Sequence, residues 1–299
     1  MVRRYAGGLS VLAPAKVNLF LEIRGRRRDG YHLLRSLMVP VSLYDRVQLR
    51  VERGACSRVV CRVTGPERVA GGDANLAVRA ARAVLEVAGV EASVHIGLYK
   101  RIPVGAGLGG GSSDAAAVLR FLPELLGVRV KPAALLEIAT ALGADVPFFL
   151  ACRPALVTGI GEVLSPLLEV KRMALVVAVP RTRVETSWAY ATALKGLTSA
   201  KTATRLARSR LRSGDIEGLL HNDFERGVGR AVPDVGRLAR SLDRLGARGT
   251  VMSGSGSAVV GLFGSFAQAV KAAGSLSRPD QAFAVRVLRR RPRRLSNGR

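Results

Sequence analysis

The chain has 299 residues, 48% hydrophobic and 23% charged, a globular composition with room for one large domain or two smaller ones. With 47 basic against 22 acidic residues it carries a formal charge of +25, which favours anionic partners; at 5% aromatic content, however, base stacking on nucleic acid is not the expected use of that charge. No apolar run approaches the roughly eighteen residues that span a bilayer, a signal peptide is not expected, and three cysteines without metal or redox spacing (Cys56, Cys61, Cys152) suit a cytoplasmic location.

In chain order, Ala13-Pro-Ala-Lys-Val-Asn-Leu-Phe20 comes first. Lys16 and Asn18 alternate with apolar residues, so both leave one face of a strand, either toward a hydroxyl or phosphate or as the solvated side of an edge strand. Residues 19–23 and 46–51 read as strands. Between them, Arg26-Arg-Arg-Asp-Gly-Tyr-His32 places an Asp-Gly turn before Tyr31 and His32, either a grip for a base or anion or a surface hairpin tip. Asp73 is a candidate cap for a helix over 75–87, stopped by Gly89.

Ser93–Tyr99 alternates as a strand, and a helical pattern runs from Asp114 to Leu126. Between them lies Arg101-Ile-Pro-Val-Gly-Ala-Gly-Leu-Gly-Gly-Gly-Ser-Ser-Asp114, with five glycines and two serines in residues 105–113. Strand, glycine loop and helix N-terminus make an anion site, with the serines available to cap the helix, contact phosphate or ligate a metal. The loop is not of the Walker type, since no lysine follows the glycines, and the acidic ribose partner of a dinucleotide fold is missing near Leu135.

A helix over 132–142 ends at Gly143, and Asp145 then stands before Pro147. A carboxylate there is a candidate general base, although pattern alone favours an ordinary turn aspartate. The apolar run 173–179 reads as a buried strand opening a second module. After it come Thr186–Leu194, a basic connecting region, helices near Glu217 and Pro233, a second small-residue loop at Ser253-Gly-Ser-Gly-Ser257, and a final helix and strand over 267–276 and 282–288. His95 and His221 read as structural. Strands and helices interleave without a βαβ rhythm, which indicates an α+β fold.

The lysine strand, the glycine loop and the second small-residue loop, in that order, resemble the GHMP kinase superfamily. Pro14-Ala-Lys-Val-Asn-Leu-Phe-Leu21, Asp29-Gly-Tyr-His-Leu33, Gly107-Leu-Gly-Gly-Gly-Ser-Ser-Asp-Ala-Ala116 and Gly143-Ala-Asp-Val-Pro-Phe148 resemble the branch that acts on a cytidine diphosphate-linked methylerythritol. So do Asp73-Ala-Asn-Leu76, Gly159-Ile-Gly-Glu162 and Asn222-Asp-Phe-Glu225, and the likeness spans about residues 10–285. It implies a ribosomal-protein-S5-like module over 1–160, a ferredoxin-like module over 161–288 and a basic tail over 289–299, with the site in the cleft between the modules.

The same resemblance implies ATP-dependent phosphorylation of a 2-hydroxyl in the non-mevalonate route to isoprenoid precursors, with ATP and Mg²⁺ as cofactors. Asp145 would be the base and Lys16 its partner. Pro103, Val104, Gly105, Ala106, Gly107, Leu108, Gly109, Gly110, Gly111, Ser112 and Ser113 would wrap the ATP phosphates, with Asn75 and Lys100 near the nucleoside. Tyr31 and Tyr190 would sandwich the cytosine, Trp188 competing with Tyr190; His32 would read the base edge, and Asn18 and Thr186 would contact the methylerythritol. The sequence names no metal ligands and no oligomeric state. The alternatives are another small-molecule GHMP kinase, of homoserine or mevalonate type, and a basic nucleic-acid-binding protein on the same scaffold.

Overall fold

The alternating N-terminal third folds as a pair of very long antiparallel strands, β2 (Gly8–Arg26) and β3 (His32–Arg53), in a computed structural model. The structure describes residues 2–5, 8–54, 56–167, 170–193, 210, 215–276 and 280–289. The short strands expected at 19–23 and 46–51 are pieces of this pair. Register shifts at Pro14/Ala15, Asn18/Phe20 and Ile23/Gly25 break the two-residue period, which is why the sequence reads as shorter strands. Around them assemble β1 (Val2–Tyr5), β4 (Arg58–Thr64), β5 (Ala92–Tyr99), the hairpin β6 (Ala155–Gly159) and β7 (Val163–Pro166), and the two-residue β9 (His221–Asn222).

One face of this sheet is covered by α1 (Leu76–Ala88), α2 (Gly110–Leu126), α3 (Pro132–Leu142) and α4 (Val146–Ala151), with Val47, Leu49, Val84, Leu119 and Phe148 in the shared core. Ala15, Val17, Leu19, Val39 and Val41 instead face a second sheet, where they pack with Leu175, Val177 and Val260. That sheet has the order β10-β11-β8-β12, from β8 (Ala174–Val179), β10 (Gly249–Met252), β11 (Val259–Phe263) and β12 (Gln281–Arg286), all antiparallel. Its outer side carries α5 (Thr186–Ala193), α6 (Glu225–Ala231), α7 (Pro233–Arg244) and α8 (Phe266–Ser275). β8 is therefore covered on both faces, which explains its unbroken apolar run.

The result is the expected α+β architecture, and the strand order of the second sheet is that of a ferredoxin-like β-α-β-β-α-β unit. The division expected at residue 160 falls inside the β6–β7 hairpin, so we propose it after Pro166, where the first sheet's last consecutive strand ends. The helix expected near Glu217 is a single 3-10 turn, Glu217–Leu219. The basic connecting region lies largely, and the tail beyond Arg289 wholly, outside the described residues.

Candidate active site

After β5 the chain crosses to α2 through the glycine loop, where Gly105, Gly107 and Gly109 have φ of +65°, +74° and +71°. Gly107 has no room for a side chain, because a Cβ would run into the Ser253 carbonyl. α2 begins at Gly110, four residues before the expected Asp114, with Gly109 at its cap and no side-chain cap. The serines thus do not cap the helix. The first N–H groups of α2 stay uncapped and, with the helix dipole, form an anion site. A cavity of about 490 Å³ opens here, and residues 103–112 all line it. Ser113 is buried on the other side of α2, away from the cavity.

The loop is stitched to its surroundings by backbone and small side chains. Lys16 N donates to Leu108 O (3.0 Å) and Ala258 N to Ala106 O (3.3 Å). The Ser253 hydroxyl donates to Gly107 O and accepts from Asn18 N, both at 3.2 Å. Asn222 Nδ2 donates to Met252 O and Gly254 O (2.6 and 2.9 Å), fixing the second loop. Glu67 accepts from Val104 N and from Gln281 Nε2, both at 3.1 Å, tying the glycine loop to β12. Sequence reasoning gave no role to Ser253 or Glu67; the run of small residues at 253–257 was the only signal for the former.

Lys16 and Asn18 do share a face, and β2 is an interior strand, so the edge-strand reading fails. Lys16 is only 4% exposed. Its Nζ lies 2.6 Å from Asn18 Oδ1 and 3.5 Å from Asp145 Oδ2. Asn18 Nδ2 donates to Ser36 Oγ (2.7 Å), which donates to Phe20 O (2.7 Å). Asp145 sits at the N-terminal cap of α4, and its partly exposed carboxylate lines the cavity. A buried ammonium, an amide and an accessible carboxylate therefore converge beside the uncapped end of α2.

Two residues expected near the nucleoside line the cavity, but their polar groups are already engaged. Asn75, rather than Asp73, caps α1: its Oδ1 accepts from Ala77 N (3.0 Å) and its Nδ2 donates to Ala70 O (2.8 Å). Asp73 instead pairs with Arg82 at 2.6 Å. The Lys100 ammonium is buried between Asp45 and Asp114. Burial alone would lower its pKa, but the two carboxylates raise it. Burial raises that of Asp114, against Lys100 and with Asp45 adding to it.

At the opposite end Tyr190 lines the cavity and Trp188, 40% exposed, does not. Burial, with Asp145 nearby, pushes the Tyr190 phenol up to about 12. Tyr31, the other residue expected against the cytosine, does not line the cavity. Tyr31 is 60% exposed, and the His32 ring stacks on Tyr190 at 4.7 Å and 19°. Neighbouring residues of an extended chain point to opposite sides, and His32 holds the inward one. Its pKa is lowered by burial and by Arg26. Phe224 meets Tyr190 edge-on at 4.8 Å, and Thr186 Oγ1 lies 3.1 Å from Ser255 Oγ.

An α+β pair of sheets with a glycine loop running into an uncapped helix, opposite a lysine–aspartate pair, defines a small-molecule kinase of the GHMP class. The chain matches the GHMP kinases N terminal domain over residues 75–153 and the GHMP kinases C terminal domain over 202–280. It is 43% identical over 279 residues to the 4-diphosphocytidyl-2-C-methyl-D-erythritol kinase of Geobacter sp. (strain M21), covering 93% of this chain and 98% of that one. The enzyme of that name from Alkaliphilus metalliredigens (strain QYMF) is 35% identical, over 88% and 90% of the two chains. A crystal structure of 4-(cytidine 5'-diphospho)-2C-methyl-D-erythritol kinase superposes with a TM-score of 0.78 at 41% identity, covering 93% and 98%. Homoserine kinase from Cytophaga hutchinsonii shares the fold, at TM-score 0.74 and 20% identity over 96% and 97%. The chain belongs to the 4-diphosphocytidyl-2-C-methyl-D-erythritol kinase family.

Proposed function

We propose that the protein transfers the γ-phosphoryl group of ATP to the 2-hydroxyl of 4-diphosphocytidyl-2-C-methyl-D-erythritol, in the cytoplasm, on the route to isoprenoid precursors. The observation that carries this is the shared cavity: Lys16 Nζ stands 3.5 Å from Asp145 Oδ2, facing the uncapped first turn of α2.

Asp145 takes the proton of the attacking hydroxyl. Lys16, held by Asn18, keeps that carboxylate in place and offsets charge as it develops. The N–H groups of residues 110–112 and the glycine backbone hold the transferred phosphoryl, so that catalysis is mainly positioning and charge stabilisation. Tyr190 gives the cytosine one apolar wall, and Asn18 and Thr186 face the methylerythritol. Tyr31 and His32 belong to the same end, with His32 giving up its stack on Tyr190 to the base.

Mg²⁺ fits this site as the companion of the ATP phosphates. The protein's own oxygen donors at that wall are the Ser112 hydroxyl and Asp114 Oδ1, a buried oxygen with no hydrogen-bond partner. Among the described residues no three His, Cys, Asp or Glu side chains cluster as a dedicated cage. When bound, the cation would neutralise phosphate charge and set the in-line geometry.

The direct test is turnover by the purified protein with ATP and Mg²⁺ on a panel of alcohols. ADP release with the cytidine-linked substrate, and none with homoserine or mevalonate, is expected. The reverse pattern would sink the proposal.

A further inference from the structure

Two of the three buried charges beneath the glycine loop, Asp45 and Lys100, take no part in the steps above. Asp45, on β3, is fully buried. Its Oδ1 accepts from Arg101 N (2.6 Å) and Ile102 N (2.9 Å), the residues that lead from β5 into the loop. Its Oδ2 accepts from Lys100 Nζ, whose other bond, at 2.6 Å, goes to Asp114 Oδ2 on α2. One carboxylate thus grips the loop where it leaves the sheet and, through Lys100, the helix on which the loop ends. The fit is close on the remaining side too: a Cβ on Gly110 would lie 3.2 Å from Asp45 Oδ2 and 3.1 Å from Ile102 Cγ2. Stability alone does not call for such a triad, since buried ion pairs are commonly matched or bettered by apolar packing. No side chain caps α2, so the loop's shape is imposed by its surroundings, by Ser253 and Glu67 around it and by Asp45 beneath.

We infer that Asp45 is a positioning residue for the phosphate site: it fixes residues 101–102 against the first turn of α2, and so aims the backbone N–H groups that hold the ATP phosphates. The inference rests on the kinase reading but not on the identity of the alcohol phosphorylated. Lys100, which also lines the cavity, connects Asp45 to α2 through its ammonium.

The test is titration of a fluorescent ATP analogue with no second substrate present. Asp45→Asn keeps an oxygen that can accept both backbone N–H groups but loses the charge facing Lys100; Asp45→Ala loses all three bonds. Losing one charged bond or all three predicts a nucleotide Kd about fivefold higher in Asn and about twentyfold or more higher in Ala. The KM of the second substrate should stay within about twofold, because its end of the cavity shares none of these bonds. If the alanine variant does not fold, the asparagine variant decides alone: an unchanged nucleotide Kd overturns the inference. Equal rises in both KM values also overturn it, since they would mean general loosening of the fold. A wild-type protein that binds the analogue but does not phosphorylate the cytidine-linked alcohol would refute the proposed function and leave this inference standing.

Discussion

At the phosphate end of the cavity the walls are backbone; at the cytidine end they are side chains. Gly107 packs on the Ser253 carbonyl, Lys16 N bonds Leu108 O, and Ala258 N bonds Ala106 O, so the wall of the first end is backbone, with Ser253, Glu67 and Asp45 bonded to it from behind. The other end depends on Tyr190, on a His32 ring that covers one face of it, and on a Tyr31 that stands 60% exposed. In the function proposed above, the phosphate end is preorganised for its ligand, whereas the cytidine end exchanges a histidine stack for a base. A donor nucleotide common to a whole class of kinases suits a fixed site; an acceptor that differs between members suits one that side chains redefine.

Asp145 stands where the two ends meet, and removing its carboxylate gives the largest expected effect. Asp145→Asn should lower kcat by about 10²–10⁴, the usual worth of a general base, with ATP binding kept. Near-normal turnover would remove the base assignment. Next comes Gly107→Ala, which breaks the backbone end alone. The new Cβ meets the Ser253 carbonyl at a φ of +74°. Strain of that kind costs about 1–3 kcal/mol, so the KM for ATP should rise about tenfold or more. The KM for the cytidine-linked alcohol should hold steady; if both rise together, the two ends are not separately built.

The same contrast decided what could be read from sequence. Glycines at 105, 107 and 109 signal positive φ and close approach directly, so the tight loop entering α2 was legible without a relative. The buried strand over 173–179 was legible for a similar reason, as its apolar run has one physical explanation. Asp145 was not, because a carboxylate before a proline looks the same whether or not a buried lysine reaches it. Nor were Asp45 and Glu67, which sit in ordinary strand and loop sequence and gain meaning only from bonds to residues more than thirty positions away. At the other end the motif drew attention to Tyr31 and His32 but did not foretell that the His32 ring stacks on Tyr190.

Tyr190→Ala tests the side-chain end. Base–aromatic stacking is worth about 1–3 kcal/mol, so the KM for the cytidine-linked alcohol should rise about five- to a hundredfold. ATP affinity should be unaffected, and Tyr190→Phe should recover most of the loss. A matching loss of ATP affinity would show that Tyr190 supports the fold rather than the base.

The smallest effect belongs to the segment that joins the ends. Asn222 holds the second small-residue loop, Phe224 meets Tyr190, and between them Asp223 accepts from Ile23 N (2.7 Å) and pairs with His221 at 2.8 Å. The hydrogen bond to Asp223 raises the His221 pKa above its ordinary 6.5; burial opposes this, and the charges of Asp223, Glu22 and Glu225 add to it. A histidine raised on folding stabilises fully below the unfolded value, and that contribution disappears as pH climbs through the folded one. His221→Gln should therefore lower Tm more at pH about 6 than at about 8.5. The imidazole is 37% exposed, so solvent screens the pair and the difference should be small and salt-sensitive. An equal loss at both pH values would mean that the ring supports this junction by packing on Phe20, 5.9 Å away, and not by its charge.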